Sequence, residues 1–465
     1  MSKPVRVRFA PAPTGHLHIG SLRTALFNWL FARRYHGTFV VRVEDTDLER
    51  SREEYTRSIF ETLHWCDIES DEPVMFQSQR TELYADYAGR LLATGALYRC
   101  YCTQEEVRAR VRAVSQEGTE YFVYDGACRD RIDQPIGVPY ALRFRVPRDR
   151  VSIVAHDLIR GPLQFPLSAI DDFVVVRSDG SPMYNFTVVI DDAVMEISHV
   201  IRGDDHIINT PRQLLLYEAA GYVPPEFAHV PLILGKDGAK LSKREAATAV
   251  AAYRDAGFFA EALCNYLVRL GWSHGDIEVI DRDALIAVFS LSGVGAKGAY
   301  FDYAKLLWMN SVYMKQLTPA DIVGRLYADV DPDMQGLMGL FTDEQVHGLV
   351  RIYQSRVRTL IELRDVLRAI AQPVVDPAYR AQLSEKQRAA LYEIMAYLSR
   401  ESQCVDELAM KSMMARVLEH HGLTMAECAT PIRVALTGTS VAPSVVDLIR
   451  ILGCAESIRR LQVML

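Results

Sequence analysis

What most constrains this chain is how it begins. Val5 to Phe9 reads as a short buried strand, APAPTG turns on proline and glycine, and a helical pattern starts at Leu17. Ile19, Leu22, Leu26, Trp29 and Leu30 then recur at three- and four-residue spacings, the period of one helix face. A second strand at 38–43 runs into the charged stretch EDTDLERSREE. Strand, helix, strand in that order opens a βαβ unit, so the expected architecture is a parallel sheet with ligand chemistry at its strand ends. Residues 80–98 read as helix. Residues 100–165 change character, with short strands, turns and clustered cysteines, as an insertion would. Strand-like runs return at 172–177, 183–189 and 197–201, and a helix follows Thr210-Pro211. From about residue 250 helical periodicity dominates, with helices expected near 260–270, 302–307, 344–371, 384–400, 407–420 and 443–452. Strand signals disappear there, so the chain beyond about 310 is expected to be all-helical.

Composition narrows the class. With 465 residues, 49% hydrophobic and 24% charged, the chain can bury more than one core, as a globular enzyme does. The start, MSKPVRVRFAPAP, has no apolar stretch of the kind a secretory signal needs, and no run approaches the roughly 18 apolar residues of a membrane span. The eight cysteines (66, 100, 102, 128, 264, 404, 428 and 454) are scattered as reduced thiols would be, so a cytoplasmic protein without membrane contact is expected. A net charge of −7 argues against a general electrostatic coat on nucleic acid, and leaves room for local arginine-rich patches.

Five constellations carry chemistry. In RFAPAPTGHLHIGSLRTA (8–25), a glycine turn feeds a helix N-terminus carrying His18, Gly20 and Ser21; free backbone N–H groups and the positive dipole end there suit a polyanion. An ordinary strand–turn–helix with two solvent histidines has the same pattern. In PLILGKDGAKLSKREAATAV (231–250), Lys240 and Lys243 follow a flexible turn and could close over a triphosphate, where losing one transition-state contact typically costs about 2.7–4 kcal/mol. A solvated basic loop is the alternative. Arg8 and Arg202 end two strands that could face one crevice, and an arginine fork matches a carboxylate; Glu44 could pair an ammonium and Tyr184 could offer a hydroxyl. Cys100-Tyr-Cys102 and Cys128 suggest three thiolates for zinc, or three free thiols. Arg351, Arg356 and Arg358 share one expected helical stretch, either a footprint for single-stranded bases or a solvated face.

The string RFAPAPTGHLHIGSLRTALFNWLFAR resembles the ATP-binding segment of glutamyl-tRNA synthetases, with His18-Ile19-Gly20-Ser21 as the HIGH signature and KLSKR as the KMSKS signature of class I. VRVEDTDLERS, DGSPMYNFTVVIDD and VIRGDDHIINTPRQ resemble that family's pocket-lining blocks, and NYLVRLGWSHGD and GAYFDYAKLLWMN its stem-contacting part. The resemblance implies an α/β, Rossmann-like parallel-sheet catalytic domain in two halves, 1–99 and 185–245. Between them an inserted α+β subdomain at 100–184 would bind the tRNA acceptor end. A stem-contact region at 246–310 and an all-α anticodon-binding region at 311–465 would follow. The implied reaction is ATP-dependent ligation of L-glutamate to tRNA(Glu) through glutamyl-adenylate, with Mg²⁺ accompanying ATP and the enzyme a monomer. A form that also charges tRNA(Gln) is the alternative, and more remotely a non-catalytic tRNA-binding paralogue.

By motif position, His18, Lys240 and Lys243 would be catalytic, and Thr14, Gly15, Gly20, Ser21, Leu241, Ser242 and Arg244 would complete the ATP site. Arg8, Ala10, Ala12, Glu44, Tyr184, Arg202, Asp204, Asp205 and His206 would face glutamate or the ribose. The chain departs from the family pattern in three places. Ser21 fills the fourth signature position, Ala12 stands where a serine hydroxyl is usual, and Asp130 stands where relatives carry a zinc-binding histidine. A zinc set here would be Cys100, Cys102 and Cys128, with Tyr124 or Asp130 fourth. His16 falls outside the signature and is expected at the surface.

Overall fold

The structure, a computed structural model, describes residues 4–47, 49–110, 112–116, 119–239, 241, 249–330, 333–400 and 406–465. The chain forms two compact units, Met1–Ala251 with Cys264–Asp302, and Ala252–Leu263 with Tyr303–Leu465.

The first unit is built on a seven-stranded sheet of β1 (Arg6–Phe9), β2 (Thr38–Val43), β3 (Met75–Phe76), β4 (Ser152–Asp157), β5 (Gly161–Pro166), β6 (His199–Gly203) and β7 (Glu226–Val230). Their order across the sheet is β3-β2-β1-β6-β7-β4-β5, every pairing parallel except β4 with β5. β1 and β2 are buried at nearly every position, as strands covered on both faces must be. From β1 the chain winds through α1 (Ile19–Arg34) to β2 and then β3 on one side, while β6 joins β1 on the other. The winding therefore reverses between β1 and β6, which is where open α/β sheets form their ligand crevice.

Two expectations need correction. The apolar run at 183–189 is not a strand but the start of helix α2 (Tyr184–Val194). Phe186 through Asp192 are all buried, so no polar stripe reveals the helical period, and Thr187-Val188-Val189-Ile190 imitates a β-branched strand. Within 100–184, read as one insertion, β4 and β5 instead extend the main sheet through the Phe227–Asp157 pairing. Sheet membership of this kind depends on a partner some 70 residues away, |i−j| = 72 at the His229–Asp157 contact, and local composition does not register it. Elsewhere the same segment contributes Ala141–Phe144 and Val174–Val176, which with Leu97–Cys100 make a separate antiparallel sheet, and a hairpin of Arg112–Gln116 with Thr119–Val123. Helix α3 (Thr210–Ala219) starts at the Thr-Pro pair as expected, with proline in the first turn where its missing N–H costs nothing.

The second unit is all-helical among its described residues. The helix expected over 344–371 is two helices, α4 (Asp343–Tyr353) and α5 (Leu360–Ala371). Thr359 stops the run by capping α5, its hydroxyl accepting from Glu362 N–H at 3.2 Å. Leu349, Leu363, Leu367, Ile370, Ile394, Met410 and Leu448 form one fully buried core. Gly257 fits tightly against the start of α5: its φ is +78°, and a Cβ there would lie 2.6 Å from Ile361 N and 2.8 Å from Leu360 N. Gly257→Ala is therefore expected to destabilise the full-length chain by about 1–3 kcal/mol, read as a lower urea midpoint. An unshifted midpoint would contradict the close approach.

Candidate active site

The C-terminal ends of β1, β2, β6 and β7 open on a cleft of about 910 Å³ at the point of winding reversal, large enough for a substrate-sized ligand. One wall is the N-terminus of α1. His18 is its N-cap, with Nδ1 accepting from Ser21 N–H at 3.2 Å and Nε2 lying 3.1 Å from Ser21 Oγ. With Nδ1 accepting, the neutral ring carries its proton on Nε2. Gly20 makes room for this ring, since a Cβ there would meet the imidazole at 3.1 Å. The first-turn N–H groups and the dipole of α1 thus face the cleft, a setting that favours a phosphate.

Thr14, Gly20, Ser21 and Leu241 line this cleft with His18; Gly15 does not. His16, expected at the surface, is exposed and also lines it, with its ring edge-on to Tyr55. Lys240, Ser242, Lys243 and Arg244 lie outside the described residues. Their flanks are placed: Leu241 and Ala249 both line the cleft, Leu241 N–H donates to Ile233 O at 3.0 Å, and Val250 N–H donates to Leu17 O at 2.9 Å. Ala249 also bridges to His18 itself.

The floor is a buried charge network. Arg8, at the end of β1, donates through Nε to Asp192 Oδ1 at 3.1 Å. Arg42, wholly buried in β2, reaches the same Asp192 oxygen at 2.6 Å and Glu44 Oε1 at 3.1 Å. Burial alone would raise the Asp192 carboxyl, but Arg42 and Arg8 hold it below the ordinary carboxylate range. Glu44 moves the other way, pushed up by burial despite Arg42. The neighbouring Asp191 accepts from Gln77, Arg80 and Tyr84, each at 2.7 Å. Arg42, Asp191 and Asp192 are thus site-building residues that reading the sequence missed. A charged residue inside an apolar strand and an acid pair inside an apolar run were the available signals.

Arg202, at the end of β6, donates through Nη2 to Thr210 Oγ1 at 2.9 Å, while its Nη1 is buried without a protein partner. Burial, and after it the nearby Arg8, lower its guanidinium below the usual range, so the two arginines converge. Tyr184, first residue of α2, meets His206 Nδ1 at 3.0 Å. Burial first and Arg202 next bring His206 down to about 4, so it is neutral at physiological pH. Ala10, Ala12, Asp205 and His206 line the cleft, but Asp204 does not: its carboxylate accepts from Arg160 at 2.6 Å. Asp47 and Arg50, which the sequence reading did not single out, also line the cleft and pair with each other at 2.7 Å.

Away from the cleft, Cys100, Cys102 and Cys128 bring three sulfurs within 4.8 Å of one another. Tyr124 Oη sits 3.5 Å from both Cys100 and Cys102 Sγ, whereas Asp130 turns outward to Arg145 at 2.9 Å. In the second unit Arg351, Arg356 and Arg358 are all exposed, but only Arg351 lies on α4; the others occupy the break before α5, and Arg358 pairs with Glu362 at 2.8 Å.

Residues 4–308 match the family of class I tRNA synthetases (E and Q), catalytic domain, and residues 325–465 match an anticodon binding domain. A glutamate–tRNA ligase of Pelobacter propionicus is 44% identical over 98% of this chain and 97% of its own length, and one from Syntrophobacter fumaroxidans is 44% identical over 99% and 97%. The crystal structure of a glutamate–tRNA ligase from Elizabethkingia meningosepticum, in complex with its amino acid, superposes with a TM-score of 0.85 at 31% identity over 99% of both chains. Among the described residues no helix is long and apolar enough to cross a membrane. A parallel sheet with an anion-ready helix terminus at its switch point, matched over its whole length in sequence and in fold, makes this chain a member of the glutamate–tRNA ligase family of class I synthetases.

Proposed function

We propose that the chain ligates L-glutamate to tRNA(Glu), first forming glutamyl-adenylate from ATP. The observation that carries this is the pair of buried arginines at one cleft: Arg8 keeps its terminal nitrogens unengaged among the described residues, and Arg202 keeps a buried Nη1. In this reading they hold the side-chain carboxylate, Glu44 pairs the ammonium, and Tyr184 supplies a hydroxyl, with Ala10 and Ala12 along the wall. Glutamine is rejected because its neutral amide would leave guanidinium charge unpaired. Ala12 leaves the amino acid without the hydroxyl contact that a serine would add.

The α-carboxylate attacks the α-phosphorus in line, the bond to pyrophosphate breaks, and the mixed anhydride forms. A ribose hydroxyl of the terminal tRNA adenosine then attacks the acyl carbon and releases AMP. No protein nucleophile is needed, so orientation and charge stabilisation do the work. His18 and the N-terminus of α1 receive phosphate oxygens, Lys243 with Lys240 neutralises the charge that builds on pyrophosphate, and Mg²⁺ enters as the counter-ion of ATP. Residues 100–184, apart from strands β4 and β5 of the main sheet, serve the acceptor end, 246–310 the stem and 311–465 the anticodon, with the exposed Arg351, Arg356 and Arg358 meeting unpaired bases. The enzyme works as a cytoplasmic monomer.

The decisive assay is charging with labelled glutamate against tRNA(Glu) and tRNA(Gln) side by side. Label on tRNA(Glu) is expected; label on both would make the enzyme non-discriminating, and label on neither would overturn the ligase. Lys243→Ala should slow ATP–pyrophosphate exchange by about 100-fold or more while leaving tRNA binding within about twofold. Unchanged exchange would remove Lys243 from the reaction.

The cysteine cluster fits zinc. Thiolates at about 2.3 Å from a tetrahedral ion stand about 3.8 Å apart, and Cys102 and Cys128 Sγ are 3.5 Å apart. Tyr124, its Oη 3.5 Å from Cys100 and Cys102 Sγ, would be the fourth ligand, while Asp130 faces Arg145. Zinc would brace the segment 100–184 and take no part in the reaction. One zinc per chain is expected by elemental analysis, with Tyr124→Phe lowering occupancy under chelator challenge and Asp130→Ala leaving it unchanged; the reverse pattern would reassign the ligand.

A further inference from the structure

We infer that Asp157 and His229 are positioning residues that aim Arg202 at the substrate's carboxylate without cancelling its charge, an inference that rests on the glutamate pocket proposed above. The three residues lie on three adjacent strands. Arg202 of β6 stands directly opposite His229 of β7 in the parallel register, and Phe227 of β7 stands opposite Asp157 of β4. All three side chains are buried, His229 completely, and His229 and Asp157 do not line the cleft.

The donor and acceptor inventory fixes the chemistry. Arg202 Nε can only donate, and it lies 3.1 Å from His229 Nε2, so that nitrogen must be an unprotonated acceptor. The ring proton then sits on Nδ1 and is donated to Asp157 Oδ2 at 2.6 Å. Asp157 is itself immobilised: Oδ2 also accepts from His229 N–H at 3.0 Å, and Oδ1 accepts from the N–H groups of Ile159 and Arg160 at 2.9 and 2.8 Å. Burial lowers the His229 imidazole below its ordinary range, in keeping with a neutral ring.

The arrangement solves a problem specific to anion recognition. A buried arginine needs partners to fix its plane, but a carboxylate on it would compensate the charge that the ligand is meant to meet. Among the described residues no carboxylate lies within salt-bridge distance of Arg202, unlike Arg8 and Arg42, which share Asp192. A neutral imidazole holds Nε, the Thr210 hydroxyl holds Nη2, and Nη1 is left buried and unpartnered. The negative charge of Asp157 is kept one ring further away. It sets the tautomer without becoming Arg202's counter-ion.

The test is steady-state ATP–pyrophosphate exchange by the full chain with tRNA present. His229→Leu, which removes the acceptor, should raise KM for glutamate about 10- to 100-fold, the cost of a lost hydrogen bond to a charged group, while kcat and KM for ATP stay within about threefold. His229→Gln, which returns an acceptor near the Nε2 position, should bring KM back to within about threefold of the parent. A His229→Leu enzyme with unchanged KM for glutamate overturns the inference, and so does a His229→Gln enzyme no better than the leucine variant. Should His229→Leu fail to fold, ¹⁵N-histidine NMR of the parent protein decides. A neutral His229 protonated on Nδ1 supports the inference, and protonation on Nε2 overturns it. Arg202→Gln separates the two levels: if it leaves KM for glutamate unchanged, the pocket assignment itself falls, whereas an effect there without one at His229 sinks the positioning role alone.

Discussion

The cleft hangs on one carboxylate with almost no access to water. Asp192 lies between Arg8 and Arg42, and removing this carboxylate would strip the buried Arg8 of its ion pair, a loss that typically costs about 3–5 kcal/mol. Asp192 comes from α2, Arg8 from β1 and Arg42 from β2, so a single ion set fixes the helix against the two strands whose ends form the floor. Successive residues on a helix point about 100° apart, so Asp191, though 3.9 Å from Arg42 Nε, faces mostly other partners. It gathers Gln77, Arg80 and Tyr84 from just beyond β3. Two adjacent acids on one helix thus tie the C-terminal ends of three strands together before any ligand arrives.

That frame governs what the arginines can offer. Arg42 is consumed by the frame: Nη1 goes to Asp192 and Nη2 to Glu44. Arg8 engages Asp192 only through Nε, and Arg202 has hydrogen-bonding groups but no carboxylate. The graded involvement makes chemical sense. One arginine is structural, one is anchored yet open, and one is oriented by neutral groups, so cationic donors persist in a site shielded from water, where they act most strongly on an anion. Glu44, pushed up by burial, gains most from a cation placed beside it, which is the complement an α-ammonium would provide.

Much of this was legible in the sequence, and the boundary of legibility has a physical reason. Strands β1 and β2, helix α1 and the all-helical second unit follow from local periodicity. Arg8, Glu44 and Arg202 could be picked out because strand ends are where an α/β sheet places its ligand, and all three line the cleft, as does Tyr184, which the resemblance singled out although its run was read as a strand. The failures are non-local. Helix α2 hid its period by being buried on all sides, and β4 and β5 joined a sheet their neighbours in sequence did not announce. Asp204 sits beside Asp205 and His206 in the chain, yet the turn after β6 sends it to Arg160 instead of the cleft. His229 gave no local signal, because its importance arises only when β7 is laid against β6 in register with Arg202.

The same logic explains how the flanks of the second signature come to border the cavity that the first one lines. Arg23, one turn into α1 and almost fully buried, donates to Pro231 O, just after β7, and to Leu270 O at 2.7 Å. Burial lowers its guanidinium only to about 10, so it stays charged, and a charged donor holding two carbonyls makes a strong clamp. Helix α1 therefore holds the chain on both sides of the lysine-bearing stretch and presents its own N-terminus to the cleft. The bond from Val250 N–H to Leu17 O and the bridge from Ala249 to His18 then fasten the end of that stretch to the cap of the same helix. One helix thus carries the first signature and anchors the described flanks of the second.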